Sequence, residues 1–227
     1  MKKDTSVIIV CAGNSTRMGG VNKILLPLGN SCVIGHTMKA FENSESVAEI
    51  IIVARECDHE KIKEVAKNEN ITKFAGITTG GKVRQESVKN GLKLISKDTD
   101  IIAIHDGARP LVSPENIEKT IKDARVFGGS TLGVRVKDTI KVVEDDLIVD
   151  TPYRPSLFIC QTPQVFKRKI YFDAVAFASE HNIENLTDDC QLAEAIGQKI
   201  FMTEGDYKNI KITTPEDIKI AEVLLND

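Results

Sequence analysis

The 227-residue chain predicts an α/β fold, a mostly parallel sheet with helices on both faces. Strand-length apolar runs alternate with amphipathic helical stretches, the pattern of strands joined by crossover helices. The runs at 5–11 and 100–105 are apolar nearly throughout, as strands buried on both faces are. Ser113-Pro114-Glu115 and Thr214-Pro215-Glu216 share one helix-start device, a capping side chain followed by proline at the first helical position.

Taken in order, Ser6–Cys11 reads as the first strand, Val33–Phe41 as a helix and Val47–Ala54 as a second strand. Asp58–Asn68 is a charged amphipathic helix, and after Gly80-Gly81 the apolar positions Val88, Leu92 and Ile95, with Gly91, recur at helical spacing. Asp100–His105 is a strand, followed by the helix that Ser113 caps. From Gly133 to Phe166 the rhythm breaks into β-branched residues and turns without a helix. Val134–Val143, a turn at 144–146 and Leu147–Val149 read as a hairpin, either an excursion of the sheet or an arm toward a partner chain. Thr187-Asp188-Asp189 starts a further helix as its cap, Lys211 falls in a short strand, and the last helix runs to Leu225. No repeat, low-complexity run or linker divides the chain, so one domain over 1–227, with a β-arm at about 134–158, is expected.

A net charge of −3 argues against nucleic acid or an anionic membrane as a bulk partner, so positive charge has to be local. Ile50–Ala54, one of the longest apolar runs, is strand-length and far short of a membrane span. The first residues lead into a strand rather than a cleavable signal. Five cysteines (11, 32, 57, 160 and 190) are odd in number and lack a C-x-x-C pair, which fits a cytoplasmic protein with reduced thiols.

The chemistry concentrates at strand ends. The first strand opens into Ala12-Gly13 and a small-residue loop carrying Arg17 and Lys23, suited either to wrapping a polyphosphate or to an ordinary surface loop. It is not a P-loop, because Gly13 is followed by Gly19 and Gly20 with the lysine three residues later; Ser15 excludes the dinucleotide fingerprint. Gly81 and Ser87 sit at a helix start, an anion or nucleobase-edge site or a plain capping turn. In His105-Asp106-Gly107-Ala108-Arg109-Pro110, Asp106 suits a metal or a hydroxyl and Arg109 a phosphate, unless the two simply pair; His105 reads as packed. Arg154 lies in a proline-stiffened stretch that suits either a held substrate or a packed connection.

Together these motifs resemble the 2-C-methyl-D-erythritol 4-phosphate cytidylyltransferase family of the sugar-nucleotidyltransferase superfamily. The matching elements, in order over 12–217, are A-G-x-x-x-R-M, G-G-x-x-R-x-x-S-V, H-D-G-A-R-P, V-K-D-T-I-K, R-x-x-L-x-x-x-Q-T-P-Q-x-F, T-D-D and N-I-K-x-T-x-P-x-D. The resemblance implies a Rossmann-like nucleotidyltransferase fold, CTP and a polyol phosphate as substrates, magnesium or another divalent cation, and a homodimer whose arm lends Thr139 to its neighbour. It implies that Arg17, Lys23, Arg154 and Lys211 are catalytic, and that Ala12, Gly13, Arg17, Lys23, Gly81, Ser87 and Asp106 bind CTP. Asp106, Arg109, Thr139, Arg154, Thr162 and Lys211 would bind the second substrate, with Asp106 as the one metal ligand. Cys11, Ser15, Gly107 and Cys190 depart from the usual Ala, Gly, Ala and Ala, and Asn22-Lys23-Ile24 replaces the commoner Pro-Lys-Gln in a short loop. A ribitol-5-phosphate cytidylyltransferase is the nearest alternative, and a nucleotide-binding regulatory module without turnover is the alternative from another class.

Overall fold

The structure is a computed structural model that describes residues 2–13, 22–184 and 186–226. The first half runs β1 (Thr5–Val10), a short β2–β3 pair (Pro27–Leu28 and Ser31–Cys32), α1 (Val33–Glu42), β4 (Val47–Ala54), α2 (His59–Asn68), β5 (Phe74–Thr79) and α3 (Arg84–Leu92). It continues with β6 (Ile101–Asp106), α4 (Pro114–Phe127), β7 (Gly129–Arg135), β8 (Val142–Glu144) and β9 (Leu147–Asp150). The last part is β10 (Phe158–Lys167), α5 (Arg168–Glu180), α6 (Cys190–Ala195), β11 (Phe201–Glu204) and α7 (Pro215–Asn226).

Among the described residues, seven strands form the central sheet in the order β11-β7-β10-β6-β1-β4-β5. All run the same way except β10, which is antiparallel to both β6 and β7. That reversal follows from connectivity: β10 returns directly alongside β7 as in a hairpin, whereas the parallel neighbours are reached by helical crossovers. β1 sits between β4 and β6, with Val10 beside both Val53 and Asp106, so three strand ends open on one edge. The direction of the chain switches there, where open α/β sheets form ligand crevices.

Alternation along β1 sends side chains to two cores. Val7 and Ile9 pack with Ile34, Met38 and Phe41 of α1, Ile62 of α2 and Ile117 and Ile121 of α4. Ile8 packs with Val88 of α3, Tyr171 and Ala174 of α5 and Leu192 of α6. Helices therefore cover both faces, as the apolar strands require. No helix among the described residues is long and apolar enough to cross a membrane.

The helix-start devices differ in detail. Ser113 Oγ accepts from Asn116 N–H at 3.2 Å, and α4 ends on Gly128, whose φ of +94° places it where other residues are strained. At α7 the Asp217 carboxylate reaches back to the N–H groups of Thr213 and Thr214, at 2.7 and 2.8 Å.

The expected strand over Val134–Val143 is not continuous. β7 stops at Arg135, opposite the first residue of β10, and no strand opposes 137–141. The chain then forms the separate β8–β9 hairpin, turning through Asp145 and Asp146 at φ +48° and +63°. Two left-handed residues match the turn twist that two-residue hairpins need. Leu147 and Ile148 of this arm are 70 % and 64 % exposed.

Beneath the strand ends, two of the departures are coupled. A Cβ at Gly107 would fall inside contact distance of Cys11 Sγ and lie 3.2 Å from Ile9 Cγ2. Gly107 lies outside the left-handed region, so the constraint is space and not backbone. Gly107→Ala is expected to cost about 1–3 kcal/mol by overpacking, and Cys11→Ala to recover most of that loss in the double variant. A double-mutant cycle by urea denaturation measures it; additive effects would show that the two positions do not compete for one volume.

Candidate active site

A cavity of about 350 Å³ opens at the ends of β1 and β6. Its wall comes from the segment after β1 (Ala12, Gly13, Asn22, Lys23), the start of α3 (Gly81, Lys82, Arg84, Ser87), the end of β6 (Asp106) and Lys211. Among the described lining residues, four are cationic and one is a carboxylate, a balance suited to a polyanion.

Asp106 is the electrostatic centre. Lys211 Nζ lies 2.6 Å from its Oδ2, Arg84 Nε 3.7 Å from Oδ1, and Arg109 Nε 4.0 Å from Oδ2. Burial pushes the Asp106 carboxyl up, but the charge of Lys211, then Arg84, outweighs it and holds the group down at about 2. Its backbone N–H donates to Thr162 Oγ1 at 3.1 Å. Thr162 Oγ1 also lies 3.0 Å from His105 Nδ1, while His105 Nε2 lies 3.2 Å from the Arg109 carbonyl. A carbonyl only accepts, so the ring proton belongs on Nε2 and Thr162 donates to Nδ1. Burial pushes His105 down to about 3, so it is a neutral positioning residue, not a base.

Lys211 is not in a strand, contrary to the sequence expectation; residues 209–213 belong to neither helix nor sheet. Its place is fixed by its neighbours instead. Asn209 Nδ2 donates to the Thr162 carbonyl at 3.0 Å, and Ile212 N–H donates to the Ala108 carbonyl at 2.8 Å. Both anchors are fully buried, which leaves Lys211 between them directed at Asp106. Lys23 begins a single 3-10 turn, Lys23–Leu25, which Asn22 caps by accepting from Ile24 N–H. Asn22 Nδ2 in turn donates to Asp58 Oδ2 at 2.7 Å.

Ser87 lies within the first turn of α3 rather than at its cap. Its Oγ accepts from Gly81 N–H at 3.0 Å, and Glu86 Oε2 accepts from Lys82 N–H at 2.7 Å, so these two amides are already bonded. Arg109 spends its guanidinium on backbone, donating from Nη1 to the Asn209 carbonyl at 2.7 Å and from Nη2 to the Cys160 carbonyl at 3.5 Å. Burial lowers its pKa, and its Nε has no hydrogen-bond partner. Thr139 and Arg154 are exposed on the arm segment and do not line the cavity. Arg154 Nη1 donates to the Lys137 carbonyl at 3.0 Å. Arg17 lies outside the described residues.

Sequence reasoning missed Arg84 and Asp189. Arg84 Nη1 lies 2.5 Å from Asp189 Oδ2, and Tyr171 OH donates to Asp189 Oδ1 at 2.6 Å. The expected capping of α6 by the Thr187–Asp189 cluster is divided: Asp188 Oδ1 accepts from Gln191 N–H at 3.1 Å, whereas Asp189 turns inward. One local signal was available, since a cation in the first turn of a helix opposes the macrodipole unless an anion meets it.

A crossover sheet whose strand ends gather cations around one buried carboxylate is built to hold a phosphorylated ligand, and the family profile that the chain matches makes it a nucleotidyltransferase. The chain belongs to the 2-C-methyl-D-erythritol 4-phosphate cytidylyltransferase family, whose profile matches residues 5–227. It is 45% identical over 225 residues to the 2-C-methyl-D-erythritol 4-phosphate cytidylyltransferase of Caldanaerobacter subterraneus subsp. tengcongensis, covering 98% of this chain and 99% of that one. Identity to the enzyme of the same name from Clostridioides difficile is 42% over 222 residues, with 97% and 93% covered. The crystal structure of 4-diphosphocytidyl-2C-methyl-D-erythritol synthase from Anaerococcus prevotii superposes with a TM-score of 0.87 at 31% identity, over 99% of this chain and 97% of that one. The Thermus thermophilus cytidylyltransferase gives 0.81 at 27%, over 99% and 100%.

Asp189→Asn removes the charge opposite Arg84 but keeps an oxygen for Tyr171. It is expected to destabilise the fold by about 3 kcal/mol, the cost of breaking a buried pair. Tyr171→Phe, losing one hydrogen bond to a charged group, should cost about 1.5 kcal/mol. Urea denaturation compares them; equal losses would mean the Arg84–Asp189 pair contributes nothing beyond its hydrogen bonds.

Proposed function

We propose that the chain joins CTP and 2-C-methyl-D-erythritol 4-phosphate to give 4-(cytidine 5'-diphospho)-2-C-methyl-D-erythritol and pyrophosphate, a step of non-mevalonate isoprenoid synthesis. Family membership over residues 5–227 supports the reaction. The observation that carries the mechanism is the convergence of Lys23, Arg84 and Lys211 on one cavity around Asp106.

A phosphate oxygen of methylerythritol phosphate, already anionic, forms a bond to the α-phosphorus of CTP. The bond from that phosphorus to the β-bridging oxygen breaks, and pyrophosphate leaves. No proton has to be removed from the nucleophile, which agrees with a neutral, buried His105. The protein's share is positioning and charge neutralisation. Lys23 faces the charge that builds on the α-phosphate and leaving group, beside the small surfaces of Ala12 and Gly13, and the family resemblance assigns Arg17 the same role. Lys211 and Arg154 aim the incoming phosphate. Arg109, Thr162 and Asp106 shape the polyol side, through the turn that Arg109 ties down. Asp106, the single carboxylate of the described lining, is already paired with Lys211 at 2.6 Å. Such a donor set fits a divalent cation carried in by the triphosphate, magnesium by its preference for phosphate oxygens, and not a resident ion. When bound, that cation neutralises and orients triphosphate oxygens.

Thr139 and Arg154 reach this cavity from a second copy of the chain. The reading is supported by an arm whose apolar β9 residues stand exposed and by the absence of both side chains from their own chain's cavity lining. The free thiols of the five cysteines fit a reducing cytoplasm.

Pyrophosphate release with CTP is expected with methylerythritol phosphate and not with ribitol 5-phosphate; comparable turnover of the second would reassign the polyol specificity. Lys23→Ala should lower kcat roughly 10²–10³-fold by removing a preorganised charge.

Thr139→Ala and Lys23→Ala chains, mixed after subunit exchange, should regain activity above either variant alone, because one site of each heterodimer then carries both defects and the other neither. Failure to recover despite demonstrated exchange would place Thr139 in its own chain's site or in none.

A further inference from the structure

Cys160 near the start of β10 and Asp188 and Cys190 at the start of α6 form, among the described residues, the one group of three side chains whose ligand atoms all lie within 4.8 Å of one another. We propose that this cluster is a binding site for a soft or borderline divalent cation of the zinc class. Two thiolates and a carboxylate are a donor set that selects such ions over magnesium. Bond lengths of about 2.0–2.3 Å place tetrahedral ligand atoms roughly 3.3–3.8 Å apart. Cys160 Sγ already lies 3.6 Å from Asp188 Oδ2. Cys160 is exposed, so the ion has a path in and water can fill the fourth position, while Cys190 is buried.

Outer contacts are in place as well. Gln164 Nε2 donates to Asp188 Oδ2 at 2.8 Å and to Cys160 Sγ at 3.3 Å, and Thr131 Oγ1 lies 3.4 Å from the same sulfur. Donors of this kind orient the ligand atoms and favour their anionic, ligating form. Gln164 also accepts from Asp189 N–H at 2.8 Å through its Oε1. An ion here therefore pins the segment that carries Asp189, and through Asp189 the cavity residue Arg84.

The test is a titration of reduced, chelator-treated full-length protein with Cd2+ under a phosphine reductant, read by thiolate-to-cadmium charge-transfer absorption. Saturation is expected at about one ion per chain. Cys160→Ser and Cys190→Ala should each abolish the band, and Asp188→Asn should weaken binding more than about tenfold. Cys57→Ser, which removes an exposed thiol elsewhere, should leave the titration unchanged. Zn2+ should raise Tm in the parent protein and not in Cys190→Ala, which also reports that the variant is folded. Absence of the band in the parent, or its retention in Cys190→Ala, overturns the site. So does a Cys160–Cys190 disulfide forming in air while the reduced protein binds no ion.

Discussion

The constraint on which the rest depends is the carboxylate of Asp106 among three cations. A site for two phosphorylated substrates has to hold like charges close together before either arrives. At an effective dielectric near 20, two unit charges about 4 Å apart interact by about 4 kcal/mol, enough to unfold a marginal strand end. Asp106 offsets Lys211 directly, and Asp189 takes up Arg84, so these cations are held together by partners within the chain. The same pairing keeps them correctly placed, since a paired side chain has lost its rotamer freedom before binding. Reorganisation is thereby moved out of the reaction step.

The reversed strand β10 supports this arrangement from one side. Along a few residues it carries the Cys160 carbonyl that receives Arg109, the Thr162 hydroxyl that holds both His105 and the Asp106 amide, and the Gln164 amide that fixes Asp189. A parallel strand at this position would have required another crossover, whereas the return from β7 brings these side chains to β6 with only the arm between. The arm is thus the loop of a long hairpin, and its projection follows from β7 and β10 pairing up to Arg135 and Phe158 and parting there.

Much of this was legible in the sequence because its signals are local. Apolar runs, proline after a capping residue and a glycine-bearing turn at a strand end each act within a few residues, and the structure keeps nearly all of those elements within a residue or two. What was illegible is non-local. Arg84 and Asp189 are separated by 105 residues, and neither neighbourhood announces the other. Lys211 looked like a strand residue because Ile210 and Ile212 alternate with it, yet its neighbours bond to the loop after β6 and to the β10 backbone instead of to a sheet edge. Val134–Val143 looked continuous because β-propensity carries no information about where the partner strand begins.

The identity of the site's histidine shows how such a reading is decided. His-Asp at a strand end invites an acid–base assignment, yet at the end of an apolar strand His105 reads as a packed imidazole rather than a catalytic one. Burial separates them here: the ring lies edge-on to Phe41, with centroids 4.9 Å apart, and both nitrogens are occupied. A proton taken up there would sit beside Arg109 in a fully buried position, so the neutral ring is the stable one. The chemistry that remains open to the cavity is the kind that needs no base, transfer between two phosphates, where the attacking oxygen is anionic from the start. Charge placement is then the whole of the catalytic problem, and the fold solves it by giving the outer cations buried partners of their own.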